Sequence, residues 1–179
     1  VEVELGRADG LLTYPSLSRK DYVIFTSNTV YTEDFGYLVY RRDNTNRGVI
    51  ESAASFEDLK TITMIVQTGA EWESDNIPKY IQKIEANKID TMFHLLFLRK
   101  QGDFLIMPPE QAFHEATMLG YQNQLAYRHV NFINDSLIPF HIGLRKSHPL
   151  ANDFISEVDA VAGSEQFLKE VQKIVSSYR

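Results

Sequence analysis

The sequence of 179 residues has no cysteine, one tryptophan and an excess of acidic over basic residues. Without cysteine, the chain has no disulfide bonds, thiolate metal ligands or thiol nucleophiles, although this does not distinguish cytosol from periplasm. Lys and Arg number 18 against 24 Asp and Glu, which gives a net charge of -6. Proteins that bind nucleic acid usually concentrate Lys and Arg on one face, so nucleic acid is not an expected partner.

Long apolar runs are also missing. No run approaches the roughly 20 residues that cross a bilayer, and no basic segment followed by an apolar stretch opens the chain. We therefore expect a soluble protein that has already been processed or cut. Hydrophobic residues make up 44% of the chain, which is enough for one good core or two small ones.

An arginine lies in a polar segment between two predicted strands near the start of the chain. The strands cover residues 10–14 and 22–25, and Arg19 lies between them. A guanidinium pairs bidentately with a carboxylate and stays charged at physiological pH. The same pattern fits a surface arginine beside a turn. Three neighbours could assist a ligand: Tyr14, Ser16 and Ser18.

Strand and helix patterns alternate along the rest of the chain, which predicts an α/β fold with largely parallel sheets. Predicted strands cover residues 35–40, 61–66, 103–107, 127–132 and 140–144. Predicted helices cover residues 75–87, 90–100, 111–119, 149–162 and 165–178. Ligands of such sheets bind at the carboxyl ends of strands, which is where Tyr14, Gly69 and Glu110 fall.

A glycine turn follows the predicted strand at 61–66. The first amides of a helix lack internal partners and carry the positive end of its dipole, so a strand, a glycine turn and a helix can together form an anion site. The candidate residues are Thr68, Gly69 and Ala70.

The order of several landmarks resembles the bacterial extracellular solute-binding proteins of family 3, the receptors of amino-acid ABC transporters. Arg19 precedes Phe25 by six residues, as the family's ligand arginine precedes its "F-[ST]" strand. The resemblance extends over nearly the whole chain. The other landmarks are Leu5–Gly10, Gln67–Gly69, Gln101–Phe104 and Ile142–Lys146 followed by Pro149 and Leu150.

This resemblance implies a two-lobed periplasmic-binding-protein fold of type II. The first lobe would comprise residues 1–41 and 140–179, and the second residues 42–139. Extended segments near 38–42 and 139–144 would join the lobes, and lobe closure would bury the ligand. Family members begin with a strand, a helix and a strand that precede the region matching Val1. The first lobe would thus lack its N-terminal elements, and a longer polypeptide, a partner chain or a homo-oligomer would complete it.

The resemblance also implies how the solute is held. Arg19 would clamp its carboxylate, with Ser16 or Ser18 and the amides of residues 68–70. The family's usual acid for the ligand ammonium falls on Pro108 here, and Glu110 is the nearest substitute.

The function implied is a periplasmic receptor that captures an amino acid or a related carboxylate-bearing solute for an ABC transporter permease. It would be no enzyme and would need no cofactor or metal. The five histidines are scattered, without the i, i+4 pair of a helical zinc site. A ligand-sensing domain of a signalling protein is the alternative. A dehydratase-like enzyme on the same fold is less favoured, and its acid or base would come from Glu110, His114, Glu115 or His94.

Overall fold

The computed structural model describes residues 2–176. The chain forms two compact units, each with its own sheet. We call Val1–Glu33 together with Ile138–Arg179 unit 1, and Asp34–Leu137 unit 2. The expected lobe boundaries at 41/42 and 139/140 remain predictions, and residues 38–42 and 139–144 lie largely inside strands.

The described residues contain nine strands and seven α-helices. The strands are β1 (Gly10–Thr13), β2 (Val23–Phe25), β3 (Tyr31–Asp34), β4 (Tyr37–Arg41), β5 (Thr63–Gln67), β6 (Gln82–Ala86), β7 (Phe104–Ile106), β8 (Leu125–His129) and β9 (Leu137–Arg145). The helices are α1 (Leu17–Tyr22), α2 (Arg47–Ser52), α3 (Glu71–Asn76), α4 (Ile89–Phe93), α5 (Pro109–Met118), α6 (Ala151–Ala162) and α7 (Glu165–Ser176). Helix α4 continues into a π-helical turn, His94–Leu98, and short 3-10 helices cover Phe56–Leu59 and Gln122–Gln124.

Unit 1 is built on a four-stranded sheet in which β9 is central. Strands β1 and β2 pair with β9 in antiparallel register, and β3 also pairs with it. Helix α6 packs on one face, where Ile24 joins a small core of Leu144, Ala151 and Ile155. On the other face a side chain at Gly143 would clash with Val23 and would lie 2.7 Å from the Phe25 ring. Glycine at this position therefore lets the strands pack closely.

Large apolar side chains are exposed on unit 1. Leu17 is 84% exposed and Val161 is 58% exposed, and further exposed apolar residues are Leu12, Phe154, Leu168 and Ile174. That a longer polypeptide or a partner chain covers them stays a prediction.

Unit 2 contains the larger core. Its sheet has the order β6-β5-β7-β4-β8, and a large buried cluster joins this sheet to α4, the π-helical turn and α5. Leu38, Ile65, Phe93 and Leu105 in this unit are completely buried.

The prediction of largely parallel sheets was wrong. Parallel pairing is found for β5 with β6 and with β7, whereas β4 pairs antiparallel with both β7 and β8. Parallel neighbours need a crossover, and α3 and α4 supply crossovers between β5, β6 and β7. Strand β8 instead runs back along β4, and β9 runs back along β1 and β2, so these pairs are antiparallel.

The helix predicted over residues 75–87 was also wrong. Helix α3 ends at Asn76, and residues 82–86 form edge strand β6. Pro78 disfavours helical backbone at Ile77 and ends the helix. Residues 82–86 are mostly good helix formers, but pairing along the whole of β5 overrides that local preference.

The remaining predicted strands and helices are confirmed, with small shifts at their ends. Strand β3 was not predicted. The last predicted helix reaches residue 178, of which 177 and 178 lie outside the described residues. Over residues 2–176, none of the helices has both the length and the apolar character that a bilayer crossing requires.

Candidate functional site

The predicted arginine lies on a short helix in unit 1 rather than in an open loop. Helix α1 begins after Ser16, whose side-chain oxygen accepts the backbone N–H of Arg19 at 3.3 Å. A serine at this position satisfies an amide that would otherwise lack a partner. Ser16 is buried, and its hydroxyl lies 3.1 Å from that of Ser18.

The Arg19 guanidinium is half-buried and anchored to the preceding turn. Its Nη1 donates to the carbonyl oxygen of Tyr14 at 3.1 Å, directly after β1. Four predicted residues, Tyr14, Ser16, Ser18 and Arg19, are thus brought together within unit 1. A guanidinium held in one orientation loses less freedom when it binds a carboxylate. The ligand roles of these residues stay predictions.

The glycine turn of unit 2 lies between β5 and α3. Gly69 has φ +79°, a left-handed conformation that favours glycine. Two of the three candidate amides have acceptors in the protein, because Thr68 N–H donates to Ala86 at 2.9 Å and Ala70 N–H donates to Gln67 at 3.1 Å. Within residues 2–176 the amide of Gly69 donates to no protein acceptor, and it is therefore the one available to a ligand.

Acidic side chains cluster at this turn. Glu71 and Glu73 lie in the first turn of α3. The negative charge of Glu71 already complements the positive end of this short helix, which makes the turn less receptive to a carboxylate than the sequence suggested. The same charge favours a cationic group such as a ligand ammonium.

Glu110 lies at the same edge of the unit 2 sheet as the glycine turn. It belongs to the first turn of α5 and is half-buried. Strands β5 and β7 run parallel, so the segments that follow them, with Gly69 and Glu110, emerge at one edge. Gly69 and Glu110 therefore both follow the carboxyl ends of parallel strands, and a role for Glu110 in ammonium binding stays a prediction.

Sequence reasoning missed the buried carboxyl of Glu73. Its residue is 6% exposed, and the Oε2 atom is buried without a hydrogen-bond partner in the described protein. Burial raises the pKa of Glu73 to about 7, against the opposite effects of the Gln67 amide and Lys83. Burial could not be read from the polar sequence Glu71–Asn76, which has no apolar period.

Sequence reasoning also missed an aromatic pair at this edge. Phe35 and Trp72 have ring centroids 5.1 Å apart with planes inclined by 52°. The Trp72 indole Nε1–H donates to the carbonyl of Asp135 at 3.3 Å. Trp72 directly precedes Glu73, so the only tryptophan of the chain lies beside the buried carboxyl and the glycine turn.

A second pair of side chains lies where β4 begins and β8 ends. His129 Nε2 is 3.5 Å from Asp34 Oδ2, and the imidazole makes an edge contact with the Tyr37 ring. Tyr37 and His129 are register partners, so this pair shares the sheet edge with the glycine turn. No group of three metal-binding side chains occurs in the part of the chain that the structure describes.

The fold is that of the two-lobed substrate-binding proteins of amino-acid ABC transporters. The sequence-based resemblance to this class is thereby confirmed at the level of the fold. No protein-family model matches the chain, and no curated protein matches it.

Particular solved structures give the extent of the likeness. One substrate-binding protein of an amino-acid ABC transporter is 20% identical, with a TM-score of 0.73, over 99% of this chain and 73% of that chain. AbpA from Streptococcus pneumoniae, bound to L-arginine, is 16% identical, with a TM-score of 0.72, over 99% of this chain and 70% of its own. The periplasmic VFT2 domain of Bordetella pertussis BvgS is 13% identical, with a TM-score of 0.72, over 99% of this chain and 70% of its own.

Proposed function

We propose that this chain belongs to an extracytoplasmic receptor that binds an amino acid or a related small carboxylate-bearing solute and presents it to an ABC transporter permease. The observation that carries the proposal is the anchored Arg19 guanidinium, within a fold shared with substrate-binding proteins of amino-acid transporters. The location outside the cytoplasm, the permease partner and any homo-oligomer are parts of this proposal.

Charge supports a solute that carries a carboxylate, because the Arg19 guanidinium of unit 1 is a cation with a fixed orientation. An amino acid also carries an ammonium, and binding of that group by Glu110 is a further part of the proposal, which comes from the family resemblance of the sequence.

A thermal-denaturation screen of the twenty amino acids and common organic acids tests the proposal. A ligand that binds only the folded protein raises its stability by RT ln(1 + [L]/Kd), about 2.7 kcal/mol at one hundred times Kd. We expect a saturable rise for one or a few amino acids, absent from Arg19→Ala and retained in Arg7→Ala. Arg7 is a matched control because it is an exposed arginine of the same unit, paired with Glu2 at 2.9 Å.

The second candidate is a ligand-sensing domain of a signalling protein. The likeness to the BvgS domain favours it, with a TM-score equal to that of AbpA. Both candidates predict solute binding, so the screen does not separate them. Transport is separated from sensing by measuring solute uptake and a signalling output in cells that carry the full gene or its deletion.

An enzyme is the least supported alternative. Two of the neighbours reported above are substrate-binding proteins, and the residues proposed here are assigned to holding a solute. Incubation of each stabilising solute with the protein, followed by mass spectrometry of the solute, tests for turnover. A product that accumulates in proportion to protein and time would replace the receptor with an enzyme.

A further inference from the structure

A buried arginine at the far edge of unit 2 lacks hydrogen-bond acceptors. Arg41 is the last residue of β4 and is 5% exposed. Its Nε and Nη1 atoms are fully buried and have no hydrogen-bond partner among residues 2–176. Burying a guanidinium without acceptors is costly, so a group that supplies them would be strongly favoured.

The nearest carboxylate does not satisfy this arginine. Asp43 Oδ1 lies 3.8 Å from Arg41 Nε, which is beyond hydrogen-bond distance. The other oxygen of Asp43 accepts from Lys100 Nζ at 2.7 Å, and the side chain is 55% exposed. Asp43 therefore divides its charge between two cations and faces solvent.

A second cation lies near Arg41, because Asp43 contacts both Arg41 and Lys100. The other carboxylate of this region, Asp103, accepts from Asn46 Nδ2 and from the Thr63 N–H, each at 2.8 Å. The Arg42 Nε–H donates to the Leu125 carbonyl at 2.8 Å, which fixes its stem beside the register partner of Arg41.

The backbone around Lys100 is unusual as well. Residues His94–Leu98 form a π-helical turn, and Lys100 follows with φ +54°. A residue other than glycine in this conformation is strained, and such strain persists only where surrounding contacts impose it. Here the strained residue carries the cation that holds Asp43.

We propose that Arg41 and Lys100 form a binding site for a small oxyanion of the carboxylate, sulfate or phosphate type, where β4 ends and β8 begins. Because β4 runs antiparallel to β7, this edge of the unit 2 sheet is opposite the edge that carries Gly69 and Glu110. The oxyanion site is therefore separate from the unit 2 residues of the proposed solute site and does not depend on them. The oxyanion supplies the acceptors that the Arg41 guanidinium lacks, and Asp43 competes with it for both cations.

Titration of the whole chain with sodium sulfate, phosphate or acetate tests the site. Sodium chloride keeps the ionic strength constant. The readout is the Arg41 Nε–H resonance in a nitrogen-15 spectrum, assigned by its loss in Arg41→Met. We expect a saturable shift of this resonance and a saturable rise in melting temperature. Comparison of the three salts shows whether the site prefers a planar or a tetrahedral oxyanion.

Variants at the residues around Arg41 test the proposal even where Arg41→Met does not fold. Lys100→Ala should raise the half-saturating oxyanion concentration by about tenfold, because the variant loses one charge-assisted contact. Asp43→Asn should tighten binding, because it removes the competing carboxylate. Arg47→Met should leave binding unchanged, since Arg47 is exposed and pairs with Glu51.

Three results would overturn the proposal. One is an Arg41 resonance that does not move with any of the three salts. Another is a shift that grows linearly without saturation, which would reflect general ionic effects. The third is equal binding by the parent protein, Lys100→Ala and Asp43→Asn, which would leave the guanidinium solvated by buried water alone.

Discussion

The side-chain oxygen of Ser16 accepts the backbone N–H of Arg19 at 3.3 Å. The Arg19 guanidinium donates a hydrogen bond to the Tyr14 carbonyl oxygen of the same turn at 3.1 Å. The helix cap and the side-chain contact therefore fix both ends of one residue. The candidate carboxylate receptor is positioned by local contacts that the short segment from Tyr14 to Arg19 makes with itself.

Arg19→Ala should abolish most solute binding with little effect on folding. Removal of one partner of a hydrogen-bonded charge pair costs on the order of 2–5 kcal/mol of binding free energy. Arg19 is half-buried and belongs to a six-residue helix, so its loss leaves the core of unit 1 intact. Calorimetric titration with the solute found by the thermal screen measures the effect. Unchanged affinity in this variant would remove Arg19 from the site.

Solute binding should change the fluorescence of Trp72, the only tryptophan. Its ring lies against Phe35, and its indole N–H is bound to Asp135, so a ligand near the glycine turn would alter its surroundings. Trp72→Phe should eliminate the signal but retain the thermal stabilisation by the same solute. A fluorescence spectrum that saturating solute leaves unaltered would place the ligand elsewhere.

Glu73→Gln should make the protein more stable above neutral pH. Because burial raises the pKa of Glu73 to about 7 from 4.5, the folded state holds its proton over a range where the unfolded chain has lost it. Stability therefore falls as pH rises from 4.5 through 7, and the full cost, on the order of 3 kcal/mol, is present above that range. Well below pH 4.5 the carboxyl is protonated in both states, so this pH-dependent cost is absent.

Urea unfolding of the parent protein and Glu73→Gln at several pH values measures this difference. The gap between their free energies of unfolding should widen from pH 5 to pH 7 and then level off. Asp75→Asn is a matched control, because Asp75 lies on the same helix but is exposed. A gap that is constant with pH would contradict a buried, proton-binding Glu73.

Gly102→Ala should destabilise unit 2, whereas Gly48→Ala should not. A side chain at position 102 would clash with Ile65 Cγ1 and lie 2.7 Å from Cδ1, inside the packed core. Overpacking of this kind typically costs about 1–3 kcal/mol. Gly48 lies in α2, and a new side chain there would have no atom within 4 Å. Alanine at this position should therefore raise the free energy of unfolding by about 0.5–1 kcal/mol. Thermal unfolding of the two variants compares them directly.

Much of the architecture was predictable because its signals are local. Apolar runs at 10–14 and 61–66 became β1 and β5, and the Gly163-Ser164 break separates α6 from α7. Arg19 and its polar neighbours became candidates through their chemistry and the family resemblance, and the structure brings them together in one turn. By contrast, pairing direction and edge position depend on contacts between distant segments, which explains the errors at β6 and in the predicted parallel sheets.

The burial of individual polar residues could not be predicted. Glu73 lies in a mostly polar segment and Arg41 is the first residue of the polar segment that follows an apolar run, so both resemble surface residues in sequence. Their burial follows from what packs over them in three dimensions. Both candidate sites in unit 2 therefore depend on side chains whose surroundings only the structure reveals.

The central position of β9 in unit 1 constrains the order in which the protein can fold during synthesis. Gly10 is the register partner of Leu144, and Val23 is that of Arg145. Strands β1 and β2 leave the ribosome long before their shared partner exists, whereas every strand of the unit 2 sheet lies between Asp34 and Leu137. Unit 2 can thus fold before β9 has been synthesised. The segment with Arg19 is made early, but it can pair into its sheet only after unit 2 is complete.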